Sequence, residues 1–457
     1  MIGRGFVLDD FGHLFVSQHE SLWFGLTRAS GGPYFAPLAW LSFKIDWLLW
    51  GARAYPWALT NLLIHILNTL LLYALALRLW RSHVAALWTA LGFSLLFPAT
   101  VGAMLFIATR AHLIATFFYL VSLLSTIWLL RTQQHRLLAA VAVVAAATLA
   151  MFSKESGVTV VAAVGIVIFH EWKSHGQTMT RFSVVVLLSA LVGVLVSYFA
   201  LRTRSHATPI SFSGGTCCSY ALSLSVFAAN VLEYVRRTYA LLALLGGALG
   251  IWRVARGRRM SVRQLCVLDG LLSVMLFAAM VSPFILLREV SAVYSYLPGI
   301  GASLLLGTFV RSFDETPSQA PSLFAPVGLV PLLLVVVFCI ASTVKLGSKW
   351  IQLAETNSVV LRQIAAQQPT VPPDTFILLT YSKIDYAHRF PEGFGSWCFP
   401  YAIRVLYGDR SLDGAIVKDR EPYSTEGKSY EVRFSYVGSD SVLVLRTSEP
   451  STLIDQH

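Results

Sequence analysis

Two adjacent carboxylates, Asp9 and Asp10, stand in the stretch GFVLDDFGHLF, residues 5–15, of a chain otherwise dominated by apolar residues. Further along, Arg110 and His112 in TRAH, Lys154 and Glu155 in SKES, and Arg288, Glu289 and Tyr296 in REVSAVYSY lie at the edges of apolar runs. A carboxylate can act as general base on an acceptor hydroxyl or amine, while Arg and Lys hold a phosphate leaving group by charge-assisted hydrogen bonds. That combination suits glycosyl transfer from a phosphate-linked donor. The same residue types suit a proton or ion relay, but a transporter usually sets its charges near the bilayer midplane on broken helices. Here they gather at one end of the apolar runs, which favours one-sided chemistry. Taken singly, each charge reads equally well as a snorkelling anchor, and the acidic pair as a solvated arm; taken together, they read as one polar pocket.

The elements that must position these residues are membrane spans. With 56% hydrophobic and 13% charged residues among 457, too few charges remain to coat a soluble globule. The net charge of +11 comes mainly from short loops between apolar runs, where orientation in the bilayer explains it, so nucleic acid is discounted as a partner. Five cysteines are too few for a disulfide scaffold. Cys266 and Cys339 lie inside apolar runs, and no pairing follows for Cys217, Cys218 and Cys398. Residues 1–33 hold no apolar stretch of signal-peptide length. Ten runs approach the roughly 20 residues a span needs: they centre on 57–79, 84–106, 113–130, 137–152, 156–169, 182–201, 239–252, 265–287, 291–310 and 322–345.

Basic loops tend to stay cytoplasmic, and one phase gathers them. Arg78, Arg81, Arg131, Arg136, Lys173, Arg181, the cluster RVARGRRMSVR at 253–263 and Arg311 fall on that side. Asp9, Asp10, TRAH, SKES, the loop 202–221, REVSAVYSY and the C-terminal tail fall on the other. Segment 220–238, ending in Arg236 and Arg237, reads as an amphipathic helix lying at the interface. Ten spans with both ends outside require either that an arm of this length crosses unaided or that a translocating helix lies ahead of Met1, and the second is the favoured expectation. The organisation is therefore an outer arm over 1–56 with an interfacial aromatic segment, a multi-span domain over 57–346, and a soluble domain over 347–457. That last domain is expected to be small, mixed α/β and extracytoplasmic, with a helix near 349–366 and strands at TFILLTY, YAIRVLY, YEVRFSY and SVLVLRT. Asn61, His65 and Asn68 share one helix face and suit interhelical hydrogen bonding, while Lys44 and Asp46, two apart, receive no role.

Several stretches in order resemble the C superfamily of membrane glycosyltransferases: FVLDD, YFAPLAWLSFKIDWLLWGARAYPWALTNLLIHILNTLLLYAL, FIATRAHLIATFFYLVSLL, LAMFSKESGVTVV and VYSYLPGIGASLLLG. The protein O-mannosyltransferase-like and tetratricopeptide-containing transmembrane branches look nearer, the lipid A aminoarabinose transferase more distant. The resemblance runs over about residues 5–310. It implies a polytopic all-α bundle and a polyprenyl-phosphate sugar donor used on the outer face of a membrane such as the bacterial inner membrane. It implies Asp10 as base or acceptor-orienting group with Asp9 as its partner, and Arg110, Lys154, Arg236 and Arg237 as phosphate holders. His112, Glu155, Arg288 and Tyr296 are expected to line the same site. The acceptor is a glycan, lipid or protein, and a divalent metal is admitted without a ligand set. Ala36, Phe97, Thr100, Gly102 and His112 depart from the family pattern, each at a position where a phosphate, metal or acceptor contact is expected. They leave open another substrate or a non-catalytic member of the fold, beside the rival reading of a lipid or glycan transporter.

Overall fold

The computed structural model describes residues 5–29, 34–94, 104–176, 180–207, 220–255, 264–288, 290–312, 325–384, 391–392, 394–395, 398–418, 428–438 and 441–448. The arm forms three short helices, α1 (Asp10–His19), α2 (Leu22–Thr27) and α3 (Pro37–Trp50). Ser21 caps α2 by accepting the Phe24 N–H at 3.2 Å, and Pro37 opens α3, where its missing N–H costs no bond. The Lys44 ammonium donates to the Ser17 and Glu20 carbonyls at 2.7 and 2.8 Å, clamping α3 to the end of α1.

The bundle follows as α4 (Ala54–Trp80), α5 (His83–Ser94), α6 (Arg110–Arg131), α7 (Arg136–Ser153), α8 (Val160–His175) and α9 (Arg181–Arg204). Then come α10 (Leu224–Ala255), α11 (Gln264–Val281), α12 (Gly299–Arg311) and α13 (Ala325–Gln367). Among the described residues five helical stretches are long and apolar enough to cross a membrane: 54–80, 107–131, 136–153, 155–175 and 182–204. With such helices the chain is an integral membrane protein. The expected ten spans are not reproduced as ten. Two further apolar helices, Val267–Val281 and Gly299–Arg311, are shorter than a full crossing. Residues 95–103 of the second predicted span lie outside the described residues.

The expected interfacial helix 220–238 is corrected. It is not a separate element but the first half of α10, whose 32 residues run without a break into the predicted span 239–252. At 1.5 Å per residue α10 reaches about 48 Å, beyond a hydrocarbon core of about 30 Å, so its first turns extend past the apolar layer. Nothing between Arg237 and Tyr239 breaks a helix, and the charge pair alone does not end one. Helix α13 is likewise continuous over 43 residues, joining the last predicted span to the helix expected near 349–366.

Charged residues tie the bundle together at one end. Arg131 holds Glu171 with two bonds of 2.9 and 2.8 Å and donates to the Arg78 carbonyl at 2.6 Å, joining the C-termini of α4, α6 and α8. Asp269 on α11 bonds His170 at 2.8 Å and Arg311 at 2.5 Å. Cations at helix C-termini also meet the negative end of the helix dipole. The loop-charge phase placed Arg78, Arg131 and Arg311 on one side, and they do meet at one end of the bundle.

The last segment forms a four-stranded sheet of order β2-β1-β3-β4, with β1 (Thr375–Tyr381), β2 (Asp413–Lys418), β3 (Tyr430–Gly438) and β4 (Ser441–Ser448). Strand β1 pairs in parallel with β2 and β3, and β4 closes the edge antiparallel to β3. YAIRVLY, expected as a strand, is instead part of α14 (Phe399–Tyr407). Its buried residues Phe399, Ala402 and Ile403 follow helical spacing, Pro400 stands in its first turn, and Gly408 ends it in the left-handed region at φ 70°. Strand β2, DGAIVK, escaped notice because it is short and carries only three consecutive apolar residues.

Helices α11 and α12 approach so closely that a Cβ on Gly301 would lie 2.5 Å from the Phe277 nitrogen and 2.7 Å from the Ser273 carbonyl oxygen. Gly301→Val is expected to lower stability by about 1–3 kcal/mol, read as a fall of several degrees in Tm in detergent. Gly247→Ala, where an added Cβ meets nothing within 4 Å, should leave Tm unchanged or slightly raised.

Candidate functional site

The arm enters through a tight turn. Leu8 adopts φ 47°, a left-handed conformation costing an L-residue about 1 kcal/mol. The turn is closed by the Asp10 N–H bonding the Val7 carbonyl at 3.0 Å, and by the Val7 N–H donating to Asp10 Oδ2 at 3.1 Å. The other Asp10 oxygen accepts the Ala108 N–H at 2.7 Å, from the 3-10 turn Ile107–Thr109 that leads into α6. Asp10 is therefore 0% exposed with both oxygens engaged by backbone. Burial pushes its pKa well above the usual carboxylate range; the two amide donors and Arg110 act in the opposite direction. Asp9, at the N-cap of α1, is the exposed member of the pair. The Cys398 thiol donates to Asp9 Oδ1 at 3.4 Å, and burial, reinforced by the charge of Asp9, pushes that thiol's pKa up so that it stays protonated.

Arg110 sits one turn below, fully buried, and its donors are all engaged. Nη1 meets Asp46 at 2.6 Å and Ser42 Oγ at 3.2 Å, Nε donates to Asn61 Oδ1 at 2.7 Å, and Nη2 donates to the Trp57 carbonyl at 2.8 Å. The rings of Phe43 and Trp57 cover it at 4.8 and 5.7 Å. Asp46, which carried no role in the sequence reading, is thus the carboxylate that neutralises this cation.

Lys154 follows α7 in an extended conformation, at the break before the 3-10 turn Glu155–Thr159. Its ammonium lies 3.3 Å from the centroid of the Tyr34 ring and 4.0 Å from Glu155 Oε2. Glu155 accepts the Phe35 N–H at 2.8 Å, and Arg202 of α9 approaches it at 3.9 Å, so Glu155 fastens the segment before α3 to the bundle. His112 is buried against Tyr294 and Phe284, at 5.7 and 6.3 Å between centroids, and lies within electrostatic reach of Lys154. Its Nδ1 has no hydrogen-bond partner among the described residues.

His13 was not singled out from the sequence. It stands one helical turn after Asp9, its N–H bonded to the Asp9 carbonyl at 3.1 Å, and its ring stacks on Phe43 at 4.4 Å with 26° between planes. Asp9, Lys154 and Arg110 are the charges that act on it. The signal was present as DDFGH: positions i and i+4 share a helix face.

Other expected site residues lie apart from this group. Arg236 and Arg237 both bind Glu233, at 2.7 and 2.6 Å, on their own helix α10. Arg288 is exposed after α11 and Glu289 lies outside the described residues. Tyr296 is buried inside the bundle, its hydroxyl 2.8 Å from His65 Nδ1 and 3.2 Å from Asn68 Nδ2. Asn68 also donates to the Leu113 carbonyl at 3.0 Å, so the polar face of α4 makes the interhelical bonds expected of it. Phe97, Thr100 and Gly102 lie outside the described residues, as do Cys217 and Cys218, and Ala36 is the N-cap of α3. Among the described residues no group of three or more His, Cys, Asp or Glu side chains is arranged to hold a metal ion.

No family model matches this chain, and no curated protein matches it. Solved structures do. The crystal structure of ArnT from Cupriavidus metallidurans bound to undecaprenyl phosphate matches at 16% identity and TM-score 0.50, covering 92% of this chain and 83% of that one. The apo structure of the same protein matches at 15% identity and TM-score 0.52 with the same coverage. At that identity the likeness is one of fold. The shared feature is the polytopic helical fold, and nothing in the likeness singles out the O-mannosyltransferase-like branch.

The Arg110 pairing is directly testable. Asp46→Ala leaves a buried guanidinium without its carboxylate and is expected to cost about 3–5 kcal/mol, seen as lost monodisperse protein and a lowered Tm. Adding Arg110→Met to it should restore most of that loss; a double variant no better than the single one would show that the pair is not what holds this region.

Proposed function

We propose that this chain is a membrane glycosyltransferase that moves a sugar from a polyprenyl-phosphate-linked donor to an acceptor at the extracytoplasmic face. The observation that carries the reading is one meeting point: the exposed carboxylate Asp9 and the ammonium Lys154 both act on His13, where the arm, α7 and the last domain come together. The ArnT-like fold supports it, since that protein was crystallised with undecaprenyl phosphate.

In this reading Asp9 orients the acceptor's nucleophilic hydroxyl or amine, and Lys154 neutralises the phosphate as it departs. Asp10 and Arg110 hold the frame, since their polar atoms are already bound by backbone and by Asp46. The acidic pair thus keeps its place in the site while the part assigned to Asp10 from sequence passes to Asp9. The arm, the multi-span bundle and the last domain take the outer, membrane and outer positions given by the loop charges, with the Arg131–Glu171 end in the cytoplasm. The last domain closes over the arm: Phe394 stacks on Phe11 at 5.8 Å and Arg410 pairs with Glu20 at 3.4 Å, which suits it to shape the acceptor side. Arg236 and Arg237 are assigned no step because both are held by Glu233 on their own helix, and Arg288, exposed after α11, is assigned none either.

The test uses the protein in lipid nanodiscs with synthetic undecaprenyl-phosphate-linked sugars, reading release of undecaprenyl phosphate. Asp9→Asn is expected to lose about 10²-fold or more in turnover at unchanged Tm. Asp10→Asn, which turns an amide N–H toward a backbone N–H, should instead lower Tm. An Asp9→Asn protein as active as wild type would remove that carboxylate from the chemistry. Labelled lipid crossing vesicles with no glycosidic bond made would establish transport in its place.

A further inference from the structure

Resting on the transferase reading, we infer that His13 is a catalytic residue and takes the proton from the acceptor as it attacks the donor sugar. Three observations meet at this residue. Its ring stacks on Phe43, and Phe43 also covers Arg110, so the imidazole rests on the ring that packs over the buried guanidinium. Neither ring nitrogen has a hydrogen-bond partner among the described residues, although His13 is only half-buried. Asp10, the neighbouring group that could compete for the role, has both oxygens occupied.

The charges around the ring set its protonation state. Burial lowers the pKa of His13 to about 4, Lys154 and Arg110 add to that effect, and Asp9 opposes it. The remaining groups near this cluster, Asp10 beside Asp9 and the Cys398 thiol on Asp9, are a carboxylate fixed by backbone amides and a protonated sulfur. At neutral pH the imidazole is therefore uncharged and offers one nitrogen lone pair. When it accepts a proton it becomes a cation one turn from the carboxylate of Asp9, which stabilises it.

The step balances without a further reactant. The acceptor oxygen or nitrogen forms a bond to the anomeric carbon while the bond from that carbon to the phosphate oxygen breaks. The acceptor proton moves to the His13 nitrogen, and the polyprenyl phosphate leaves with the electron pair beside Lys154. Water removes the proton from His13 afterwards. Asp9 then orients the acceptor and stabilises the imidazolium.

Two measurements test this, one needing no substrate. Diethyl pyrocarbonate acylates uncharged imidazole, so peptide mass spectrometry of the intact protein should show His13 modified down to about pH 5. A histidine with the ordinary pKa of about 6.5 loses most of its reactivity by then. In the hydrolysis of undecaprenyl-phosphate-linked sugars, with water as acceptor, His13→Gln should lose about 10²-fold or more in kcat with little change in KM. Added imidazole should restore turnover to His13→Gly and leave Asp9→Asn unrescued. The inference is overturned if His13→Gln keeps more than half of wild-type kcat, or if His13 resists acylation while exposed histidines react. Wild-type protein that turns over none of the donors overturns the transferase reading and this step with it; active wild type beside an equally active His13→Gln overturns this step alone.

Discussion

Burying Arg110 completely takes five N–H donors and a full charge out of water, and several kcal/mol of desolvation are offset only when every donor finds a partner. The partners come from two helices, Asp46 and Ser42 on α3 and Trp57 and Asn61 on α4, which the arginine ties to α6. Because the guanidinium fork is planar, those partners have to stand at fixed angles to one another. That constraint sets where α6 begins. The turn just before it carries the Ala108 N–H that binds Asp10, so the position of the acidic pair follows from the arginine.

The same logic sorts the charged residues of the chain. At the Arg131 end, Glu171, Asp269, His170 and Arg311 are paired across helices, and the fold uses their charges for cohesion. At the Asp9 end the ion pairs are longer. Glu155 is drawn toward Lys154 and Arg202 at 4.0 and 3.9 Å, distances too long for direct hydrogen bonds, while the Lys154 ammonium rests on the face of Tyr34. One end of the bundle is held by short ion pairs and the other by longer ones.

Much of this was legible in the sequence. Apolar runs and loop charges located the helices of the bundle and the end at which Arg78, Arg131 and Arg311 meet, because hydropathy and the positive-inside rule report on the solvent, which acts along the whole chain. The order of FVLDD, TRAH and SKE also pointed to the segments that converge. Continuity was not legible: Arg236 and Arg237 look like the end of a segment, yet α10 passes through them, and YAIRVLY alternates like a strand while its burial follows a helix. The role of Asp46 was missed because its partner lies 64 positions away, and no local spacing encodes such a pair.

The hardest distinction was between two neighbours of identical chemistry. Successive residues at a helix start point about 100° apart, so when α1 begins at Asp10 one carboxylate turns inward and the other outward. Had the helix begun one residue earlier, their environments would be exchanged. What fixes the start is the turn at Leu8, whose left-handed backbone is held by the Asp10 carboxylate reaching back to the Val7 N–H. The inward acid therefore sets the phase of α1, and that phase presents Asp9 and His13, four residues apart, on the face toward Phe43 and Lys154. The stacking of the imidazole on Phe43 is a consequence of that single turn.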